Sequence, residues 1–390
     1  MSVGSAIIRA LAFVDDLLGM NHKTLDVHRS HETVICFSRK KRQPLNEDKC
    51  VILPVNVPDS MAVPVLSVNG QEMDIVKKAK YLGDIFNSKG TNADLIEDRV
   101  SNGLKCMIST MSTASEITLG VHLMKSLISL YKVVFVKVVT FNSGAWDNIT
   151  AQQVNQLRTV QLKFLKRMLH TPSSTANSFT FLELGILPIE YNIQINQLQF
   201  LYHILKLPDH DPVKCSYNQQ KLFPFEKNWF NEVSQIRTKY GLTDNDEEIA
   251  VFSKERWKNL VHEKINSYAL EELNKENSTK SRTCHHPART VLKHQTYFEY
   301  LRPSDSRLLF AIRSGTLDIK TFRKYSYDVD DVMCRLCHND EESIDHIVNK
   351  CEAITRTCNI PDVYSIEKDV VETVVKRVKE FIKFAEEKET

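Results

Sequence analysis

Glycine and proline are scarce in this chain, at 11 and 12 of 390 residues. Long β-rich architectures need turn residues at short intervals, and disordered chains are enriched in both types. Neither architecture is expected. Uninterrupted apolar length is missing as well. The most apolar stretch, residues 121–139, is broken by Lys125, Lys132 and Lys137, whereas a membrane-spanning helix needs about 20 apolar residues. The opening residues do not read as a secretory leader. No basic region precedes their apolar run, which contains Arg9 and ends on Asp15-Asp16. Net charge is only +2, so a nucleic-acid surface must come from local patches and not from a global field. There is no fixed-period repeat and no glycine-rich phosphate loop.

What is present reads as an ordinary globular chain, with 42% hydrophobic and 26% charged residues. Its length allows two or three packed units. The nine cysteines form no secreted framework. A reducing compartment, nucleus or cytoplasm, is therefore expected, with no membrane partner.

Four of the ligand-type residues fall close together near the C-terminus. Cys334, Cys337, His346 and Cys351 follow the pattern C-x2-C-x8-H-x4-C. The cysteine pair fits one tight turn and the second pair fits a helical turn. Three thiolates and one imidazole can then converge as a closed, structural tetrahedral zinc shell. Chance scatter would not usually supply all four within 18 residues. Nor would it surround them with Asn339-Asp340-Glu341-Glu342, a run too polar to build a core. His338 competes through its adjacency to Cys337, and Cys358 falls outside the spacing. Cys284-His285-His286 lacks partners at useful spacing and is expected at the surface.

At the N-terminus, Ala10–Phe13 and the residues after Asp16 form two short apolar strands around the turn Val14-Asp15-Asp16. Two adjacent carboxylates at such a tip require water or a hard cation such as Mg²⁺, although Asp-Asp is also a common turn dipeptide. A helix is expected over 25–38, then the basic turn Arg39-Lys40-Lys41-Arg42. A polar loop over 45–53 enters a strand, and Asn69-Gly70 signals a hairpin.

These residues carry a resemblance. Phe13-Val14-Asp15-Asp16 resembles the aromatic-x-Asp-Asp motif of reverse transcriptases. Residues 46–53, with Lys49, resemble the following palm motif, and Tyr81-Leu82-Gly83 is similar to the element that opens the thumb. Order and spacing, together with the C-terminal C-x2-C-x8-H-x4-C knuckle, resemble the non-LTR (LINE-type) retrotransposon polymerases over nearly the whole chain. The resemblance implies an RNA-directed DNA polymerase with Asp15, Asp16 and Lys49 as catalytic residues. It implies structural zinc in the knuckle, and Mg²⁺ at Asp15 and Asp16 only if an intact palm is completed. The departure is that residues 1–14 contain no Asp or Glu, while two-metal phosphoryl transfer needs further carboxylates to clamp both ions. On this resemblance the chain reads as a polymerase cut within its palm and inactive in polymerisation by itself.

The middle of the chain reads as helical. Leu95, Val100, Leu104, Met107 and Met111 share one face. A second helix is expected over 122–139, with a break at Gly144-Ala145-Trp146. Thr150 and Gln153 form a capping box for a helix whose Val154, Leu157, Gln161, Phe164 and Met168 share a face. Lys163, Lys166 and Arg167 lie opposite, either as an ordinary solvated face or as a surface for the phosphates of RNA or DNA. A long helix follows, with Trp257, Leu260, Val261, Ile265 and Tyr268 inward, and 275–281 reads as a linker. Nearer the knuckle, Arg302, Arg307, Arg313, Lys320, Arg323 and Lys324 interleave with Phe298, Tyr300, Phe310, Phe322 and Tyr325. That mixture suits single-stranded nucleic acid if exposed and a core if amphipathic. Val371, Val374, Val378 and Phe381 mark a terminal helix docked on the knuckle.

The expected fold is thus mainly α with a small α/β palm remnant. Its organisation is a remnant over 1–90, a helical thumb-like region over 91–206, a helical connector over 207–300, and the basic/aromatic segment, zinc knuckle and terminal helix over 301–390. The competing function is a non-enzymatic helical interaction scaffold stapled by zinc.

Overall fold

Apolar residues recur at helical spacing through most of the chain, and the backbone follows them. The fold is mainly α-helical, with small two-stranded sheets near the N-terminus. The computed structural model describes all residues except 1, 4, 5, 8, 9, 14, 15, 22, 59, 60, 117–119, 121, 122, 224–226, 328–330, 355–362 and 390.

Antiparallel pairs join β1 (Ser2–Val3) to β2 (Ala6–Ile7) and β3 (Ala10–Phe13) to β4 (Asp16–Gly19). Helix α1 (Thr24–Lys41) and strand β5 (Val51–Ile52) follow. Strands β6 (Ser67–Val68) and β7 (Gln71–Glu72) form a hairpin, while β8 (Asp74–Ile75) pairs in parallel with β5. A last hairpin joins β9 (Lys78–Tyr81) to β10 (Asp84–Asn87). The remaining helices, in order, are α2 (Ala93–Glu116), α3 (Leu123–Leu130), α4 (Val136–Val139), α5 (Ala151–Leu169), α6 (Asn177–Leu184) and α7 (Ile189–Lys206). They continue as α8 (Pro212–Gln220), α9 (Trp229–Lys239), α10 (Asp246–Val251), α11 (Lys254–Ser278), α12 (Tyr297–Tyr300), α13 (Pro303–Arg313), α14 (Lys320–Tyr327) and α15 (Lys368–Glu389). Among the described residues no helix is long and apolar enough to cross a membrane.

The chain forms two units that interleave in sequence. The first comprises residues 1–102, 139–157 and 192–264. Its core gathers Trp146, Trp229 and Trp257 with Leu198, Leu201 and Ile236. Two of these indoles donate to backbone carbonyls, Trp229 to Gly144 at 2.9 Å and Trp257 to Leu198 at 3.0 Å. Gly144 stands where a Cβ would lie 2.9 Å from the Phe200 Cβ and 3.0 Å from the Asn196 carbonyl, so the break at 144 needs a residue without a side chain. Asn69 and Gly70 both take positive φ, 51° and 89°, which is the type I′ hairpin expected of that dipeptide. The capping box forms as read. Gln153 Oε1 accepts from Thr150 N–H at 2.9 Å, and Thr150 Oγ1 accepts from Gln153 N–H at 3.2 Å.

The second unit comprises 103–138, 158–191 and 265–390. Tyr131, Phe135 and Phe164 cluster with ring centroids 5.0–5.3 Å apart. The fully buried Gln161 is satisfied on both sides: its amide donates to Tyr131 Oη at 2.6 Å and Leu187 O at 2.8 Å, and its oxygen accepts from Ile189 N–H at 2.9 Å. Helix α6 is buried at every position from Ser178 to Leu184, polar residues included. It ends at Gly185 (φ 57°), where a Cβ would stand 2.1 Å from the Lys293 carbonyl carbon, so only glycine fits.

Helix α6 also carries Glu183 into a buried ionic cluster. Arg289 donates to its Oε2 at 2.6 Å and Arg313 to its Oε1 at 3.2 Å, with His286 Nε2 at 3.6 Å. Burial alone would raise this carboxyl. His286 and the two guanidiniums overcome that and bring it down to about 2. His286 is therefore buried in this cluster and not at the surface, as its spacing had suggested; only His285 of that run is exposed. The expected linker over 275–281 is corrected too, because α11 continues through Ser278. Its polar residues are the solvated side of a helix, and Asn277 is buried, bonded to Thr283.

Candidate metal centre

The first loop of the knuckle is closed by backbone bonds. Cys334 N–H donates to Asp340 O at 2.9 Å, His338 N–H to Cys334 O at 3.0 Å, and Met333 bridges to Glu341. The turn after Cys337 is made by His338 at φ 57°; its imidazole is exposed and is not among the four converging ligands.

The second loop is a π turn over His346–Lys350, closed by Cys351 N–H on His346 O at 2.7 Å. An α-helix would leave two residues five apart separated by about 140° around its axis. The wider π turn brings Cys351 back near the line of His346. Such turns concentrate at functional sites.

The result is convergence. One ligand atom each from Cys334, Cys337, His346 and Cys351 lies within 4.8 Å of all the others. Cys334 Sγ and Cys351 Sγ are 3.9 Å apart, and Cys337 Sγ is 3.3 Å from His346 Nε2. A tetrahedron with sulfur at about 2.3 Å from its centre has edges of about 3.8 Å. The 3.9 Å sulfur pair matches such an edge, the 3.3 Å sulfur–nitrogen pair is somewhat shorter, and the 4.8 Å bound on all separations exceeds the expected spacing of about 4 Å by less than an ångström. The set can hold a metal ion.

The thiols point the same way. Burial works to raise Cys337, but the Asn339 N–H and the neighbouring Cys334 and Cys351 thiols hold it below its usual value. Burial, opposed by the Ala353 N–H and reinforced by Cys334 and Cys337, pushes Cys351 up to about 12. A bound cation would supply the charge that stabilises thiolates crowded in this way. Among the described residues this is the one grouping of three or more His, Cys, Asp or Glu able to hold a metal.

Helix α15 braces the centre. Its buried Arg377 donates to Val348 O at 2.8 Å, and Lys388 donates to Leu336 O, between the paired cysteines, at 2.8 Å. Val371, Val374, Val378 and Phe381 are all buried, as their spacing predicts. Glu342, in the run that reads as too polar for a core, is fully buried. It is neutralised by the Arg335 guanidinium at 2.8–3.1 Å and accepts the Arg335 and Lys320 N–H groups at 3.0 and 3.1 Å. Arg335 in turn lies over the Phe381 ring. No periodicity marks Glu342; only its partner Arg335 explains it.

The other predicted site residues are dispersed. Asp16 is exposed at the start of β4, and Lys49 is exposed in a single 3₁₀ turn, Glu47–Lys49. Asp15 and Val14 lie outside the described residues. Cys358 and the side chain of Tyr325 also lie outside them. On α5, Leu157, Gln161, Phe164 and Met168 are buried, and Lys163 and Arg167 are exposed. Lys166 is half-buried and donates to Ser173 O and Thr175 O, both at 2.7 Å; burial lowers its pKa.

Most of the basic/aromatic segment faces inward. Phe298, Phe310 and Phe322 are core, Arg313 serves Glu183, and Arg307 donates to Met168 O at 3.0 Å. Lys320 pairs with Asp331, and Arg323 forms a fork on Asp318. No protein-family model and no curated protein matches this sequence.

Proposed function

We propose that this chain is a nucleic-acid-binding protein derived from a non-LTR retrotransposon RNA-directed DNA polymerase, with one structural zinc and no polymerisation activity by itself. The supporting observation is the convergence of Cys334, Cys337, His346 and Cys351, the knuckle that is one of the two motif sets carrying the resemblance. Three thiolates and a neutral imidazole make a soft shell with no open position, which suits a structural zinc and not a catalytic one. Of the three cations read on that face, Lys163 and Arg167 are exposed on α5. Asp15 and Asp16 alone cannot clamp two ions and a nucleotide's phosphates in line.

A second reading has a specific observation in its favour. Lys166, Arg307, Arg313, Lys320 and Arg323 all bond within the protein, which suits a helical interaction scaffold stapled by zinc.

Titrating single-stranded RNA and DNA across a salt series separates the two. Nucleic-acid binding predicts affinity that falls with salt, and a slope reduced by about one in Lys163→Ala. Affinity indifferent to salt supports the scaffold. Primer extension with Mg²⁺ is expected to give no product; synthesis that disappears in Asp15→Ala would restore the polymerase.

A further inference from the structure

A ligating imidazole gives one nitrogen to the metal and must place the other. In His346, Nε2 faces the Cys337 sulfur at 3.3 Å, so Nδ1 points away from the ligand cluster. That Nδ1 is buried and has no hydrogen-bond partner, in a side chain only 3% exposed. A buried N–H left unpaired is unfavourable, and the group is most in need of a partner when its sister nitrogen is on a metal.

One carboxylate is in reach. Asp340 Oδ2 lies 3.6 Å from His346 Nδ1. Asp340 is held in place from two sides: its Oδ1 accepts Glu341 N–H at 2.8 Å, and its backbone oxygen accepts Cys334 N–H at 2.9 Å. One carboxylate oxygen is thus anchored in the first loop and the other is turned towards the imidazole of the second. The bland account of Asp340 is an exposed turn residue bonded to the next N–H, and its side chain is indeed 53% exposed. That role needs only Oδ1, and it leaves both the direction of Oδ2 and the unpaired Nδ1 without explanation.

We propose that Asp340 is a positioning residue of the metal centre, accepting a hydrogen bond from His346 Nδ1–H and so fixing Nε2 as the ligand atom. The inference rests on the metal reading above and adds to it a residue that the ligand spacing does not contain. It also ties the two ligand-bearing loops together through a carboxylate, independently of the metal.

Asp340→Asn separates the two roles. The amide oxygen can keep the turn bond to Glu341, but the position facing Nδ1–H then carries an NH₂ donor, and two donors repel. Zinc affinity of the full chain, measured by competition with a chromophoric chelator, is expected to fall about 10- to 100-fold in Asp340→Asn. Far-UV circular dichroism should be unchanged. Asp345→Asn, at an exposed carboxylate already paired with Lys350 and Asn349, should bind zinc as the parent chain does. In the zinc-loaded parent chain, ¹⁵N NMR of the His346 ring should find the proton on Nδ1, exchanging slowly with solvent; this reading requires no variant to fold. Equal zinc affinity in Asp340→Asn, or a proton on Nε2, overturns the inference while leaving the metal centre standing. A parent chain that binds no zinc overturns both.

Discussion

Residues 334–351 and residues 10–87 are both marked by short motifs that suggest bound metal, and they are built very differently. In the C-terminal segment the ligands are brought together by bonds within 18 residues. Three of the four are buried and Cys337 is half-buried, and α15 donates to a carbonyl in each loop. In the N-terminal segment, β3 and β4 leave Leu11, Phe13 and Leu17 exposed, Phe13 by 60%. Helix α1 buries no residue at all. A motif closed by its own loop needs little beyond local geometry and one bracing helix. A motif whose carboxylates must meet others from distant strands gains its meaning only when a larger sheet assembles around it.

The largest effect is expected from removing the metal. Zinc binding to small modules contributes on the order of 10 kcal/mol to their folding, so chelation or Cys351→Ser should unfold roughly residues 330–355. The long helices should persist. Limited proteolysis should therefore cut within the knuckle while far-UV ellipticity stays near its starting value. A knuckle equally resistant with and without chelator would show that α15 alone holds it.

A smaller effect is expected at the buried ionic cluster around Glu183, in the same unit as the knuckle's bracing helix. Arg313 bonds both Glu183 and Ser365 O, the latter just ahead of α15. Removing one partner of a buried ionic cluster costs about 3–5 kcal/mol, so Glu183→Gln should lower the urea midpoint of unfolding markedly. The acid dependence has a definite sign. The folded carboxyl sits at about 2 against an ordinary 4.5. Its stabilisation is complete above the unfolded value and is lost as pH falls from about 4.5 towards 2, in total on the order of 3 kcal/mol. Glu183→Gln should flatten that part of the acid-unfolding curve, and a curve unchanged by the substitution would place the acid sensitivity elsewhere.

The smallest effect is expected at the N-terminal hairpin. Phe13→Ser removes an exposed ring and should change global stability by less than about 0.5 kcal/mol. A loss of several kcal/mol would mean that this ring is covered in solution and that the contrast between the two segments is false.

The chain's sequence by itself determined its helical character, the Asn69-Gly70 turn, the Thr150–Gln153 capping box, the inward face of α5 and the four residues of the knuckle. Each depends on neighbours no more than about one loop or a few helical turns away, where periodicity, turn chemistry and ligand spacing act directly. Only the tertiary structure decided the rest. Arg313 and His286 read as surface groups until Glu183, more than a hundred residues earlier in the chain, meets them in the core. Glu342 reads as solvent-facing until Arg335 closes over it, and Asp340 reads as turn filler until His346 is folded beside it. A polar residue carries no periodic signal of burial. Whether it lies inside depends on a partner of opposite charge or matching hydrogen-bond sense, and folding alone brings that partner within reach.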